Sequence, residues 1–287
     1  MKYNIIISLF VLLFLACNPD FNTNQKDIKS HSSKKRIKHN KKEVTKNKVE
    51  DQNKVEDQNK VEDQNKVEDQ NKVEDQNKVE DQNQRIKNSL LDDLKNLIEK
   101  ANEDRKKYEK KLKEESEDQY GILAFKELGW GEGQGEKIAD NTERSIRYRK
   151  RTYGALNDID TDKLKEFSKI IMLSGQTQGL FNILNFFGTA LDDMIVCLYP
   201  KKDILDKLEI SDLQKLKNLL EKLLSTKADV SKMLNQLLLD YQNNENSIQK
   251  DTNKLKSYVI TLCNQTEEKQ KEAENLKNEI FTIQKNL

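Results

Sequence analysis

From Leu213 to the end of the chain, apolar residues recur at alternating steps of three and four, and that spacing admits few folds. Leu213, Leu216, Leu220, Leu223, Val230, Leu234, Leu237 and Tyr241 make one stripe, interrupted only by Lys227. A polar turn follows at residues 243–246. The steps then resume through Leu255, Val259, Leu262, Thr266, Lys269, Ala273, Leu276, Ile280, Ile283 and Leu287. Such spacing keeps one seam of a helix against a partner, as in bundles and coiled coils. Ser211 with Gln214 has the pattern of a capping box at the start of the first stripe, and Ser225-Thr226 is a point where that segment can divide. Two long helices joined by a short turn must lie antiparallel. The expectation is an all-α fold: a helical bundle with long C-terminal helices, of about 200 residues, enough for one real core.

The preceding segment supplies the other helices. Leu90, Leu94, Leu97, Ala101, Tyr108 and Leu112 have helical spacing behind Ser89, which can serve as an N-cap. A second helix is predicted over 142–156. A third, capped by Asp160 or Thr161, would turn Leu164, Phe167, Ile170 and Ile171 inward. Residues 176–198 are the most apolar part of the chain, ended by Pro200. The uncharged stretch 170–191 has the length of a membrane span. Ser174, Gly175, Gln176, Thr177, Gln178, Gly179, Asn182 and Asn185 dilute it too heavily for lipid, so the expectation is a buried helix pair turning at 174–179. No run of strand-forming residues with a period of two stands out.

The N-terminal third cannot pack in this way. After Lys2, residues 5–15 are apolar except for Ser8, and the run stops at Ala16-Cys17 before Asn18-Pro19-Asp20. An apolar segment this short is a signal-peptide core, not a spanning helix. A small residue directly before a lone Cys reads as a lipoprotein signal, with the Cys17 thiol taking diacylglycerol and the freed amine a further acyl chain. Two or more chains are what stable anchoring needs. Residues 26–48 are strongly basic, and the hexapeptide Asn-Lys-Val-Glu-Asp-Gln then repeats six times over 47–82. Six helical steps advance each Val by about 240°, so the valines spiral and form no apolar face. Burial cannot offset the ordering entropy of such a sequence, and mostly disorder is expected. A solvated helix is the alternative, because each Glu stands four residues before a Lys (Glu50 and Lys54, Glu56 and Lys60), the favourable order. The domain plan is a signal at 1–16, a lipidated tether at 17–85 and the bundle at 86–287.

Charge and residue chemistry narrow the function. There are 51 basic and 50 acidic residues, a balance that argues against nucleic-acid binding. Both histidines, His31 and His39, precede the repeats, so the bundle can hold neither a Ser-His-Asp nor a Cys-His catalytic set, nor a zinc site with His. Neighbouring Asp192 and Asp193 would point about 100° apart on a helix, a poor arrangement for paired acids. The reading is not an enzyme, with no cofactor and no metal. The Gly-rich stretch 128–135 lacks the Gly-Lys-Ser/Thr ending of a phosphate loop and carries Glu132. It is expected to be an exposed loop. Its one tryptophan, Trp130, is either a binding anchor or folds back onto the bundle. Arg144, Arg147 and Arg151 fall on one helical face, suited to an acidic partner or to neighbouring carboxylates. Cys197 and Cys263 remain after lipidation. Either a disulfide, permitted by export, or two buried thiols fits them.

The N-terminus also carries a resemblance. The run Met1-Lys2-Tyr3-Asn4-Ile5-Ile6, continued by Leu15-Ala16-Cys17-Asn18-Pro19-Asp20-Phe21-Asn22-Thr23-Asn24 and the Lys-rich stalk, resembles plasmid-encoded outer-surface lipoproteins of Borrelia. Among these it is most similar to the virulent strain-associated lipoprotein family, one of whose members is named for its repeats. The resemblance implies a lipid-anchored place on the bacterial outer membrane, held to the bilayer through acylated Cys17. It also implies a role toward host or tick proteins, in adhesion or immune evasion. Related families have members that bind complement regulators or matrix proteins. A structural or antigenic coat protein without a dedicated ligand is the alternative.

Overall fold

The computed structural model describes residues 61–130 and 135–287, with side chains described from Val79 onward. The signal segment, Cys17, His31, His39, the basic stretch, the first repeats and residues 131–134 lie outside the described residues. Among the described residues seven α-helices follow one another: α1 (Val61–Lys113), α2 (Ala124–Glu127), α3 (Glu143–Ala155), α4 (Leu164–Leu173), α5 (Thr177–Leu198), α6 (Ile210–Gln242) and α7 (Thr252–Gln284). Among the described residues there is no strand, only an isolated bridge between Gly129 and Lys137. The all-α bundle with long C-terminal helices is what the three-four spacing predicted.

α5 is the central helix, packed between α3 and α7, while α6 lies against α7 and α1. Leu180, Phe181, Leu184, Phe187, Ala190 and Leu198 of α5 are sealed from solvent. Each such aliphatic or aromatic side chain contributes about 1.5–3 kcal/mol by leaving water. α5 with the following 3-10 segment is the one described stretch long and apolar enough to cross a membrane, and 61% of its most apolar window is buried inside the bundle. The core-helix reading accounts for that apolarity. The turn before α5 falls at 174–176, where Gly175 takes φ of +70°, a conformation natural to glycine.

The stripes are buried nearly as the spacing predicts: Leu213, Leu216, Leu220, Leu223, Val230, Leu234 and Leu237 of α6 face Val259, Leu262, Ala273, Leu276, Ile280 and Ile283 of α7. Ion pairs run antiparallel down this seam, Lys269 to Asp229 at 3.0 Å, Lys222 to Glu272 at 3.2 Å and Lys215 to Glu279 at 3.4 Å. α6 runs unbroken past Ser225-Thr226, since the Thr226 hydroxyl donates to the Lys222 carbonyl at 2.9 Å and needs no break.

Three local expectations are corrected. Ser89 caps nothing, because α1 passes straight through it from Val61. In α1 it is Ile98, rather than Leu97, that is sealed from solvent. The capping box at Ser211 does not form: Glu209 is the N-cap residue, without a side-chain bond, and Gln214 bonds Asn218 instead. The one helix start in this half held by a side chain is that of α7, where Asp251 accepts from the Asn253 and Lys254 amides. Residues 61–82 of the repeats belong to α1, and among residues 79–89 only Lys87 is even partly covered.

Candidate functional site

The residues singled out in the sequence gather along α3, which lies beside α5 with both running in one direction. Asn185 donates to the Tyr148 carbonyl at 2.9 Å, Tyr148 donates to Asn182 Oδ1 at 3.0 Å, and Lys150 donates to Asp192 at 2.9 Å. The helices approach so closely at Gly188 that a Cβ there would come within 1.9 Å of the Arg151 carbonyl oxygen.

Helical phase separates the arginines of α3 into two kinds. Arg149, 2% exposed, turns inward. It donates to both Glu115 oxygens at 3.0 Å and to the carbonyls of Ile138 and Asp140 at 2.6 and 2.7 Å. One guanidinium thus pins the α1–α2 connection and the segment leading into α3, and Tyr153 adds a bond to the same Glu115. Burial, reinforced by Glu115, pushes the Tyr153 hydroxyl well above its ordinary range, so it stays a donor. Arg144 and Arg147 face outward, while the Arg151 side chain is only 26% exposed. Each has a carboxylate nearby: Arg144 with Glu136 at 2.5 Å, Arg147 with Glu143 at 2.5 Å and Arg151 with Asp193 at 3.7 Å. Arg144 and Arg147 remain more than half exposed, so their charge is available to a partner.

Trp130 folds back onto the bundle. Its indole N–H donates to the Ser145 hydroxyl at 2.9 Å, its ring meets Tyr148 edge-on at 5.9 Å, and the Arg144 guanidinium lies 5.0 Å from its centroid. Half-buried, it walls a cleft of about 310 Å³ together with Leu128, Ile138, Tyr148, Gln178 and Asn182. Asp192 and Asp193 diverge as helix geometry requires. Asp192 is buried and accepts from Tyr108 at 2.8 Å and Lys150 at 2.9 Å, while Asp193 lies between Arg151 and Lys277. Cys197 and Cys263 are unbridged, and burial pushes the Cys263 thiol up to about 11, away from thiolate chemistry.

The sequence reading missed Phe186. Consecutive phenylalanines on a helix point about 100° apart, so Phe187 is sealed in the core while Phe186 stands 58% exposed. Thr189, Asp193 and Val196 continue its outward stripe, with Val196 46% exposed. The register set by Asn185 on Tyr148, and by Arg151 on Asp193, brings this stripe alongside the arginine row of α3. Phe186 and Val196 thus lie at the same phase of α5 as Asp193, the partner of Arg151.

Comparison with known proteins places this architecture. Residues 109–285 match the family described as Borrelia Bbcrasp-1 domain containing protein. The crystal structure of BSE31 from Borrelia spielmanii is 59% identical over 68% of this chain and 98% of its own, with a TM-score of 0.66. The outer surface lipoprotein BBA64 of Borrelia burgdorferi shares the fold at 20% identity, covering 69% of this chain and 96% of its own, with a TM-score of 0.52. The outer surface protein BBA66 of the same organism shares it at 18% identity over 69% of this chain and 99% of its own, with a TM-score of 0.55. None of the curated proteins matches.

Proposed function

Because this chain belongs to the Borrelia Bbcrasp-1 domain family, whose solved relatives include outer surface lipoproteins, we propose that it is a surface-displayed binding module. It contacts a host or tick-vector protein through the shared face of α3 and α5, and catalyses nothing. Phe186 carries the reading: an aromatic ring 58% exposed, two turns along α5 from the Asp193 that pairs with Arg151, brings together side-chain types prominent in binding hot spots. Arg144 and Arg147 form the basic edge, and Trp130 with its cleft offers a recess for a partner side chain. Anchoring through acylated Cys17 holds the module at the outer membrane.

The pairing of each outward arginine with a carboxylate supports a second reading, an antigenic coat protein without a dedicated ligand. A pull-down from serum and from tick-gut extract, with the chain lacking its lipid, separates the two. Any partner recovered should lose at least about 2 kcal/mol of affinity on replacing Phe186, Arg147 and Arg151 by Ala, with the melting temperature unchanged. If the arginine changes alone weaken it, and salt abolishes the effect, the partner is a polyanion held by charge. Wild-type binding of every recovered partner by the triple variant would rule this face out.

A further inference from the structure

We propose that residues 61–82, the described part of the hexapeptide array, are a helical spacer continuous with α1, so that copy number sets the length of this rod and the rotation of its N-terminal end. Three observations converge. α1 is one helix from Val61 to Lys113, crossing from the repeats into the core without a break. From Val79 to Ser89 it is exposed at every position except the partly covered Lys87, with Val79 itself 58% exposed and Ile86 43%. Then, from Leu90, the same helix is clamped: Leu90, Leu94, Ile98 and Ala101 are buried, and Asp93 and Glu99 pair with Lys217 and Lys202.

The clamp is what makes a solvated helix possible. An isolated helix must first form a costly nucleus, whereas each residue added to an existing one gains a hydrogen bond for the one residue it fixes. Here the bundle provides the nucleus, and the repeats need only propagate it toward the N-terminus. Their sequence is suited to this. They contain no Gly or Pro, and Glu62, Glu68 and Glu74 each stand four residues before Lys66, Lys72 and Lys78, the supportive order. Asp63, Asp69 and Asp75 stand three before the same lysines. A spiral of lone valines leaves no apolar seam for a second helix, so the rod stays single and solvated. The features that prevent the repeats from packing are therefore compatible with their being stiff. Each copy of six residues lengthens the rod by about 9 Å and turns its end by about 240°. Three copies restore the phase.

Inserting three further copies after Gln82 in the chain from Asn18 onward tests the spacer. Circular dichroism should show about eighteen more helical residues, and small-angle scattering a maximum dimension about 27 Å longer. Arg85→Pro, on the solvated side of the clamp, should remove the repeat helix signal by severing it from its nucleus, with the melting temperature of the bundle unchanged. Added copies that leave the helical signal where it was, or lengthen the particle only by the few ångströms of a coil, would overturn the proposal. So would an Arg85→Pro variant that keeps the full signal, because the repeats would then not depend on the clamp.

Discussion

Lys227 shows how one residue can contradict a pattern and still belong to the core. It occupies a stripe position, 8% exposed, where its neighbours are leucine and valine. Its ammonium bonds Asp104 at 2.7 Å and lies 3.8 Å from Asp158, tying α6 to α1 and to the connection after α3. A buried charge is tolerable only with such a partner. Burial alone would raise the Asp104 carboxyl, but the bonds from Lys227 and Lys107 overcome it and hold the group below its ordinary range. The stability this pairing adds is present above the unfolded carboxylate value, near 4, and is lost as pH falls through the lowered folded value. Lys227→Met should therefore cost about 2 kcal/mol at pH 7, by leaving the half-buried Asp104 charge with only the exposed Lys107 as partner. The gap between variant and wild type in urea titrations should close below about pH 4. A gap independent of pH would mean that lost packing, and not charge, is responsible.

At the scale of elements, α3 and α5 owe their closeness to a missing side chain. Alanine at an exposed helical glycine ordinarily stabilises by up to about 1 kcal/mol. At Gly188 the added carbon would come within 1.9 Å of the Arg151 carbonyl oxygen, so the helices must separate. Gly188→Ala should lower stability by about 2 kcal/mol despite its better propensity, and should loosen the face that carries Phe186 and the arginines. A melting temperature at or above wild type would show that the helices can shift without cost. The last two helices depend less on any single contact. Their seam is long and regular, and it was legible in the sequence because its period needs no partner to be recognised. The failed cap at Ser211 was less legible. The start of α6 depends on where the 3-10 segment Tyr199–Lys207 delivers the chain, a matter of packing.

For the whole molecule, the N-terminal third and the bundle follow different rules. In the sequence, Cys17 is the candidate anchor, the buried core begins at Leu90, and the residues between them are highly charged. If Cys17 is the anchor, Cys17→Ala should leave the chain without acyl groups and move it from the detergent phase to the aqueous phase, with its helical content intact. Palmitate labelling of the variant equal to wild type would overturn that assignment.

The sequence by itself determined the fold class, the long C-terminal pair, turns within 174–179 and at 243–246, and the outward placing of Arg144 and Arg147. All of these follow from periodicity, charge and turn chemistry within one segment. Only the tertiary structure decided which apolar residues stay outside. Phe186 and Phe187 are identical in sequence terms, and their fates differ because α3 and α7 cover one side of α5 and leave the other open. It likewise decided that Arg149 is a buried pin, since Glu115 lies 34 residues away along the chain. It also turned Trp130 inward, because Ser145 and Tyr148 meet the indole only once the bundle has formed. Local pattern fixes an element and its faces. What each face meets depends on packing between segments distant in sequence, and a single chain read in order does not contain that information in any one place.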